Sequence, residues 1–314
     1  MMKQKVIAVI GPTASGKTAL SVELAKRFDG EIVSADSMQI YKYMDIATAK
    51  PTEEEKQGIP HHLMDFLEPS ESFSVARYCE LAHAAITDIA ARGRLPIIAG
   101  GTGLYVDSLL DGMQFEEQEI DLALREGIAA ELEEMGMDHM LNVIRAFDPD
   151  SAERLSKERN PKRVVRCIEV YRLTGMTQTQ LNLSQQRADA PYDALKIGLT
   201  AADREYLYDR INRRVDIMME NGLLEEARRF YEADFGDTAA AAIGYKELLP
   251  YLEGERDLDT CVGNLKRATR RYAKRQMTWF RRDPSVCWFN IDELSVEEIL
   301  KESVRMITDS VERI

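Results

Sequence analysis

Short apolar runs alternate with amphipathic stretches along the first hundred residues of this 314-residue chain. The apolar runs predict buried strands, and the stretches with apolar residues three to four positions apart predict helices. Strands that alternate with helices are typical of a parallel sheet with right-handed crossovers. We therefore expect an α/β fold with a parallel sheet flanked by helices. The predicted strands are 6–10, 31–34, 95–99, 195–199 and 286–291, and the predicted helices among the first three are 19–28 and 73–92.

The pattern changes between residues 120 and 187, where strand-like runs disappear. Charged amphipathic helices are predicted there instead, at 121–134, 137–147 and 161–174. We interpret 120–187 as a helical insertion carried by an α/β core that comprises 1–119 and 188–314. Long helices return after it and precede the last strand, at 204–221, 223–231 and 262–281.

Composition adds few constraints. The chain is 45% hydrophobic and 30% charged, which is ordinary for a globular protein with a buried core. No run approaches the roughly 20 apolar residues that span a bilayer. The four cysteines stand far apart, as expected of a reduced, cytoplasmic protein. The four histidines suggest no metal cluster, and His61 and His62 are expected in a solvated loop. The sequence pattern indicates no self-complementary apolar patch, so we expect a monomer.

Charge is unevenly distributed. The net charge of −13 argues against a general nucleic-acid coat, but basic residues concentrate in two tracts. One runs from Arg154 to Arg166, and the other, from Lys266 to Arg282, holds eight basic residues and no acidic one. Basic positions three to four apart predict one cationic helix face. Such a face can simply be solvated, but we favour contact with the phosphates of a nucleic acid.

A phosphate-binding loop follows the first predicted strand. Its residues match G-x-x-x-x-G-K-[ST] and stand between a strand and a helix, which disfavours a glycine turn without a ligand. The backbone N–H groups of such a loop surround phosphate oxygens, the lysine adds a positive charge, and the Thr18 hydroxyl is placed to ligate Mg²⁺. The loop comprises Gly11, Pro12, Thr13, Ala14, Ser15, Gly16, Lys17 and Thr18.

Two other predicted strands are followed by residues that bear on metal binding or proton transfer. The strand 95–99 ends in Gly100 and Gly101, where a nucleotide hydrolase would usually place a metal-binding aspartate. The second strand is followed by Asp36, beside the phosphate loop in a parallel sheet. This residue is either a helix cap, a general base or an indirect metal ligand.

Together these segments resemble the tRNA dimethylallyltransferase (isopentenyltransferase) family. The resemblance covers nearly the whole chain, and its blocks, weak singly, are specific jointly. They are 11–18, Asp36-x-x-Gln39-x-Tyr41, 45–51, 100–105, 160–164, Arg210-x-x-x-Arg214, 243–247 and 274–279.

The resemblance implies a chemistry. The phosphate loop would hold dimethylallyl diphosphate, and the acceptor would be the adenosine at position 37 of tRNA, flipped out beside the anticodon. Asp36 would take the proton from the exocyclic N6. Thr13 and Arg214 would stabilise the departing diphosphate, together with Lys17 and Mg²⁺ on Thr18.

The resemblance also implies contacts to the anticodon stem-loop, with the insertion closing on the anticodon arm. The implied tRNA contacts are Asp36, Ser37, Met38, Gln39, Thr102, Arg125, Asn160, Pro161, Lys162, Arg163 and Val164. A small-molecule or nucleotide kinase is the main alternative, but it leaves the glycines after strand 95–99 and the basic helix unexplained. A non-catalytic tRNA- or nucleotide-binding module is the second alternative.

Overall fold

The computed structural model describes residues 3–113, 121–184, 190–233 and 242–311. Six strands form one sheet in the order β3-β2-β4-β1-β5-β6, and every pairing is parallel. This confirms the predicted α/β fold. The strands are β1 (Gln4–Ile10), β2 (Gly30–Ser34), β3 (His61–His62), β4 (Leu95–Gly100), β5 (Tyr192–Thr200) and β6 (Cys287–Asn290).

The apolar runs are strands because both faces of the sheet are covered. Successive residues of a strand point to opposite faces, yet Val6 to Ile10 are all buried. Strand β1 lies at the centre, with Val9 opposite Ala99 of β4 and Ile10 opposite Gly198 of β5. The centre of the sheet is therefore hydrophobic core, and its chemistry is confined to the strand ends.

The chain folds into two compact units, 1–112 with 189–314 and 113–188. The predicted limits of the insertion, 119–120 and 187–188, lie outside the described residues. The first unit contains the sheet and helices α1 (Lys17–Arg27), α2 (Glu53–Lys56), α3 (Val75–Ala91), α4 (Gly103–Leu110), α10 (Arg204–Glu220), α11 (Leu223–Glu232), α12 (Tyr245–Leu252), α13 (Leu258–Phe280) and α14 (Val296–Val311).

In its described residues, the second unit is helical and has a hydrophobic core of its own. Ile128, Ile144 and Val164 are fully buried at its centre. Its helices are α5 (Leu122–Met135), α6 (Met137–Phe147), α7 (Pro149–Glu158), α8 (Pro161–Thr174) and α9 (Gln178–Ser184). Among the described residues of both units, no helix is long and apolar enough to cross a membrane.

Candidate active site

A cavity of about 320 Å³ lies in the first unit, at the carboxyl ends of β1, β2 and β4. Its other walls come from α10, α11, α12 and α13. In open parallel sheets ligands bind outside the carboxyl ends of the strands, and small-molecule sites have volumes of about 300 Å³ or more. The position and size of the cavity are those of a site for a small ligand.

The phosphate loop forms one end of this cavity and is held by its own glycines. Gly11 has a φ of +142°, and a Cβ there would lie 2.3 Å from the Leu199 carbonyl oxygen, so only glycine fits. Gly16, with a φ of +93°, directly precedes α1. The Lys17 ammonium donates to the Pro12 carbonyl oxygen across 2.7 Å and closes the loop. The loop thus directs a helix N-terminus at the cavity.

Helix α13 fixes the loop through Gln276, which sequence reasoning missed. Its Oε1 accepts the Thr13 backbone N–H (2.9 Å), and its Nε2 donates to the Gly101 carbonyl oxygen (3.0 Å). A Cβ on Gly101 would lie 2.1 Å from that Nε2. A Cβ on Gly100 would lie 2.2 Å from the Ala35 carbonyl oxygen. Both glycines therefore permit close packing at the end of β4, where a nucleotide hydrolase would place a carboxylate.

Among the charged side chains that line the cavity, Asp36, Lys17 and Arg214 interact electrostatically with one another. Burial raises the pKa of Asp36, against the opposing effects of the hydrogen bond from the Met38 N–H and the charge of Lys17. Burial, with the charge of Arg214, lowers the pKa of Lys17 to about 7, although Asp36 opposes this. Two cations and one anion share a desolvated space, which favours binding of an anionic group.

Arg214 reaches the phosphate loop from α10. Its Nη1 donates to the Thr13 hydroxyl oxygen across 3.4 Å, and burial lowers its pKa. The neighbouring Arg210 donates to the Ala14 carbonyl oxygen (2.8 Å). The structure therefore brings the predicted catalytic residues Thr13, Lys17, Asp36 and Arg214 into one cavity. Thr18 lines the same cavity.

The turn after β2 carries the next predicted residues. Ser37, Met38 and Gln39 line the cavity beside Asp36. The Thr102 hydroxyl oxygen accepts the Ser37 backbone N–H across 3.0 Å, so this side chain holds the turn in place. Thr102 is thus committed to a contact inside the protein, whatever contact it makes with a ligand.

The predicted contact residue Arg125 lies in the second unit. It forms a two-pronged ion pair with the buried Glu169, with Nε–Oε1 and Nη2–Oε2 distances of 3.0 Å. Burial opposes ionisation of Glu169, but hydrogen bonds from Arg125 and Arg166 lower its pKa. Because the Arg125 side chain is 40% exposed, one face remains available to solvent.

The block 160–164 begins α8. The Asn160 side chain accepts the Arg163 backbone N–H (3.4 Å), and Pro161 occupies the first turn of the helix, where it needs no hydrogen-bond partner. Lys162 is exposed, and Arg163 pairs with Glu158. Val164 is fully buried in the core of the unit, so its side chain anchors the helix. Its contact with tRNA stays a prediction.

The expectation that His61 lies in a solvated loop is wrong. His61 and His62 form strand β3, in which His61 pairs with Ile32. The His61 side chain lines the cavity, its Nδ1 lies 2.8 Å from the Ile59 carbonyl oxygen, and burial lowers its pKa. A strand of two residues has no periodicity from which it could be predicted.

Apolar residues form much of the remaining cavity wall, beside polar ones such as Lys246, Thr269 and Tyr272. The apolar part continues a second hydrophobic cluster that α10 to α13 build beside the sheet. The cavity therefore has a cationic end at the phosphate loop and a hydrocarbon wall, which fits an anion with a short apolar tail. The wall includes Ala47, Met218, Leu223, Ala242, Ile243 and Leu265.

The predicted basic helix is α13, and its basic residues have different environments. Arg275 lines the cavity and lies over the Tyr272 ring, with 5.5 Å between its Cζ and the ring centroid. Lys266 pairs with Asp216 across 2.6 Å, and Arg282 lies over the Trp279 ring. The helix that carries the basic tract thus extends from the cavity to the surface of the unit.

These features define a class: an α/β protein with a phosphate loop at one end of a cavity that is lined by both cationic and apolar side chains. The model of the family described as IPP transferase matches residues 39–283. A tRNA dimethylallyltransferase of Acetivibrio thermocellus is 51% identical over 300 residues, 94% of this chain and 95% of the relative. That of Bacillus subtilis is 46% identical over 303 residues, 96% of each chain.

Solved structures agree. The tRNA isopentenylpyrophosphate transferase of Bacillus halodurans superimposes with a TM-score of 0.75 at 43% identity, covering 99% of this chain and 98% of that one. A eukaryotic dimethylallyltransferase acting on tRNA gives a TM-score of 0.82 at 30% identity, covering 99% and 80%. The chain belongs to the tRNA dimethylallyltransferase family, which confirms the resemblance drawn from the motifs.

Proposed function

We propose that this chain is an enzyme that transfers the dimethylallyl group of dimethylallyl diphosphate to N6 of adenosine 37 in tRNA, releasing diphosphate. The observation that carries the proposal is the joining of a phosphate loop, a partly buried carboxylate and an apolar wall in one cavity. The relatives named for this activity, similar over nearly the whole chain, support it. The kinase alternative is not favoured, because these relatives are named for prenyl transfer to tRNA.

The donor occupies the cavity with its diphosphate on the loop 11–18 and its prenyl group against the apolar wall. Backbone N–H groups at the start of α1 and the charges of Lys17 and Arg214 hold the diphosphate. Removing the prenyl group from water favours binding by about 25 cal/mol per Å². The two ends of the cavity thus recognise the two halves of the donor.

Mg²⁺ is the proposed cofactor, and the residues fit it. Thr18 follows the loop lysine and lines the cavity, so its hydroxyl can join diphosphate oxygens in holding the ion. Within the described residues no group of three His, Cys, Asp or Glu could hold a metal, consistent with a cation that binds largely through substrate oxygens. When bound, Mg²⁺ would neutralise charge on the diphosphate.

In the reaction the N6 lone pair forms a bond to C1 of the prenyl group, and the C1–O bond breaks with its electrons going to diphosphate. The Asp36 carboxylate takes the proton that N6 loses. Its raised pKa makes it a stronger base than an ordinary carboxylate. Because Thr13 accepts from Arg214, its own hydroxyl hydrogen can point at the departing oxygen.

The tRNA binds through cationic side chains in both units. In the first unit the basic residues of α13 supply contacts to phosphates, and Arg275 stands where the helix meets the cavity. In the second unit the exposed Lys162 and the free face of Arg125 supply others. The protein acts as a cytoplasmic monomer.

The proposal is tested by incubating the purified protein with Mg²⁺ and unmodified tRNA whose anticodon loop is rich in adenosine. Radiolabelled dimethylallyl diphosphate is added to one tube and radiolabelled ATP to another. Label should enter the tRNA only from the prenyl donor. Turnover of ATP, with no label in the tRNA from the prenyl donor, would contradict the proposal and favour the kinase.

A further inference from the structure

Glu226 of α11 is buried, with 5% of its surface exposed, yet it has no role in the chemistry above. Its carboxylate accepts four hydrogen bonds. The backbone N–H groups of Asp45 and Ile46 donate to Oε2 across 2.9 and 2.8 Å. The Ala47 N–H (2.8 Å) and the Tyr245 hydroxyl (2.9 Å) donate to Oε1. In the described parts of the chain, no basic side chain forms an ion pair with it.

The segment that Glu226 holds is a wall of the cavity. Ala47, Thr48 and Ala49 all line it. On this side, Gln39 donates through Nε2 to the carbonyl oxygens of Thr48 and Ala49, both across 3.2 Å. Gln39 belongs to the turn that carries Asp36. The segment 45–49 is therefore fixed by Glu226 at one point and joined to the catalytic turn at another.

The segment needs such an anchor because it belongs to no helix or strand. Three successive N–H groups have no ladder partner, and one carboxylate satisfies all of them. Burial, with the charge of Glu226, raises the pKa of Tyr245, so that its hydroxyl remains a donor. Ala47 also packs against Gly244, where a Cβ would lie 3.2 Å from the Ala47 Cβ. The wall is thus set by α11 and the start of α12.

We propose that Glu226 is a positioning residue for the prenyl donor. By holding the N–H groups of 45–47, it places the Ala47–Ala49 wall against the donor and, through Gln39, steadies the Asp36 turn. This inference rests on the proposed function. The buried glutamates Glu31 and Glu169 are paired with arginines, whereas Glu226 is satisfied almost entirely by the backbone of the cavity wall.

The variant Glu226→Gln tests whether Glu226 positions the prenyl donor. The amide replaces one acceptor oxygen with an NH₂ group that faces N–H donors, so the wall loses part of its anchor. We expect the KM for dimethylallyl diphosphate to rise about tenfold, which corresponds to the loss of one hydrogen bond to a charged group. The KM for tRNA should change less than about twofold, and amide hydrogen exchange at 45–47 should accelerate.

Glu31→Gln is the matched control, because Glu31 is an equally buried acid outside the cavity lining. It should lower stability and leave the donor KM unchanged. A donor KM in Glu226→Gln that equals the wild-type value would overturn the proposal, whether or not exchange accelerates. Wild-type protein that prenylates no tRNA would instead refute the proposed function. In that case the role of Glu226 would be decided by calorimetry, which compares the affinity of wild type and of Glu226→Gln for dimethylallyl diphosphate.

Tyr245→Phe is a milder second variant, which removes one donor to the carboxylate and leaves the three N–H bonds. It should raise the donor KM about twofold to threefold, less than Glu226→Gln does. If Glu226→Gln does not yield folded protein, this variant decides the matter. An unchanged donor KM in Tyr245→Phe would then overturn the proposal.

Discussion

Strand β2 has an acid near each end, Glu31 fully buried and Asp36 partly buried, and the two acids have opposite surroundings. Glu31, near its start, accepts from Arg92, Arg94 and His62. Hydrogen bonds from Arg92 chiefly, against the effect of burial, hold its pKa well below the usual range. Asp36, just beyond the other end, accepts the Met38 N–H at Oδ1, and burial raises its pKa.

The comparison shows that burial alone does not mark a functional acid. Glu31 is ionised and neutralised by two guanidinium groups, so it can neither take up a proton near neutral pH nor bind a ligand. Asp36 is also desolvated, but its cationic neighbours, Lys17 and Arg214, line the cavity and are available to a substrate. A perturbed pKa with incomplete pairing, in a cleft, is the physical signature of a site.

The largest effect that separates the two acids should come from Asp36→Asn. An amide cannot take the N6 proton, and general base catalysis contributes about 10²–10⁴-fold, so we expect kcat to fall about 10³-fold. Binding of tRNA and of the donor should persist. Single-turnover transfer of labelled prenyl groups, with binding measured separately, checks this.

Asp292→Asn is a suitable control for that variant. Asp292 follows β6 near the same edge of the sheet and accepts the backbone N–H groups of Ala202 and Asp203 (2.9 and 2.7 Å). It does not line the cavity, and its variant should retain kcat within about twofold. Full turnover by Asp36→Asn would remove Asp36 from the role of base.

The converse change is Glu31→Gln, which breaks a buried ion pair at the other end of the strand. The variant leaves a neutral amide at a buried position beside two guanidinium groups, which keep their outer partners, Asp88 for Arg92 and Asp29 for Arg94. The free energy of unfolding should therefore fall, while kcat per folded molecule is unchanged. Urea unfolding monitored by circular dichroism measures the loss. A variant as stable as wild type, or one whose folded fraction turns over slowly, would break the comparison.

The contribution of ionised Glu31 to the free energy of unfolding depends on pH, and the sign of this dependence can be predicted. Because the folded pKa of Glu31 is depressed, its stabilisation is present above the unfolded pKa of about 4.3 and disappears as pH falls below it. Wild type should therefore lose more stability than Glu31→Gln as pH is lowered from about 5 to about 3. Parallel unfolding curves of the two proteins across that range would contradict this.

Gln276→Met tests whether the Asp36 end of the sheet depends on α13. Methionine has a similar volume but leaves the Thr13 N–H and the Gly101 carbonyl oxygen without their partner, at about 1–3 kcal/mol each. We expect kcat/KM for the donor to fall about thirtyfold. Gln4→Met, an exposed substitution, is the control, and equal kcat/KM values in both would contradict the role of Gln276.

Whether a feature of the fold or of the site could be predicted from the sequence depended on how far apart in the chain its interacting residues are. The loop 11–18 and the strand runs are local patterns, and they predicted the sheet and the cationic end of the cavity. Asp36 could be placed because parallel strands bring their carboxyl ends together. Arg214 needed the family resemblance, because an arginine on a charged helix is ordinary.

Other residues left no local signal. Glu226 belongs to a helix with neighbouring acids, and its partners at 45–47 are about 180 positions away in the chain. Gln276 makes its two hydrogen bonds to residues 263 and 175 positions away. In both cases the side chain is recognised only by burial and by backbone partners, which depend on tertiary packing. The glycines at 100 and 101 are visible in the sequence as a missing metal-binding aspartate, but the Gln276 side chain that packs against Gly101 is not.

The smallest expected effect concerns Lys17, the cation facing Asp36. Its pKa of about 7 means that about half of the free protein carries this charge at pH 7 and about a tenth at pH 8. Diphosphate favours the charged form, so its affinity should fall about fivefold over that interval relative to Lys17→Arg, whose guanidinium stays charged. Titration calorimetry with inorganic diphosphate at both pH values measures the ratio, because ionisation of the ligand itself affects both proteins equally. A constant ratio would mean that Lys17 is fully protonated at pH 8, and that Asp36 neutralises it as completely as Arg92 and Arg94 neutralise Glu31.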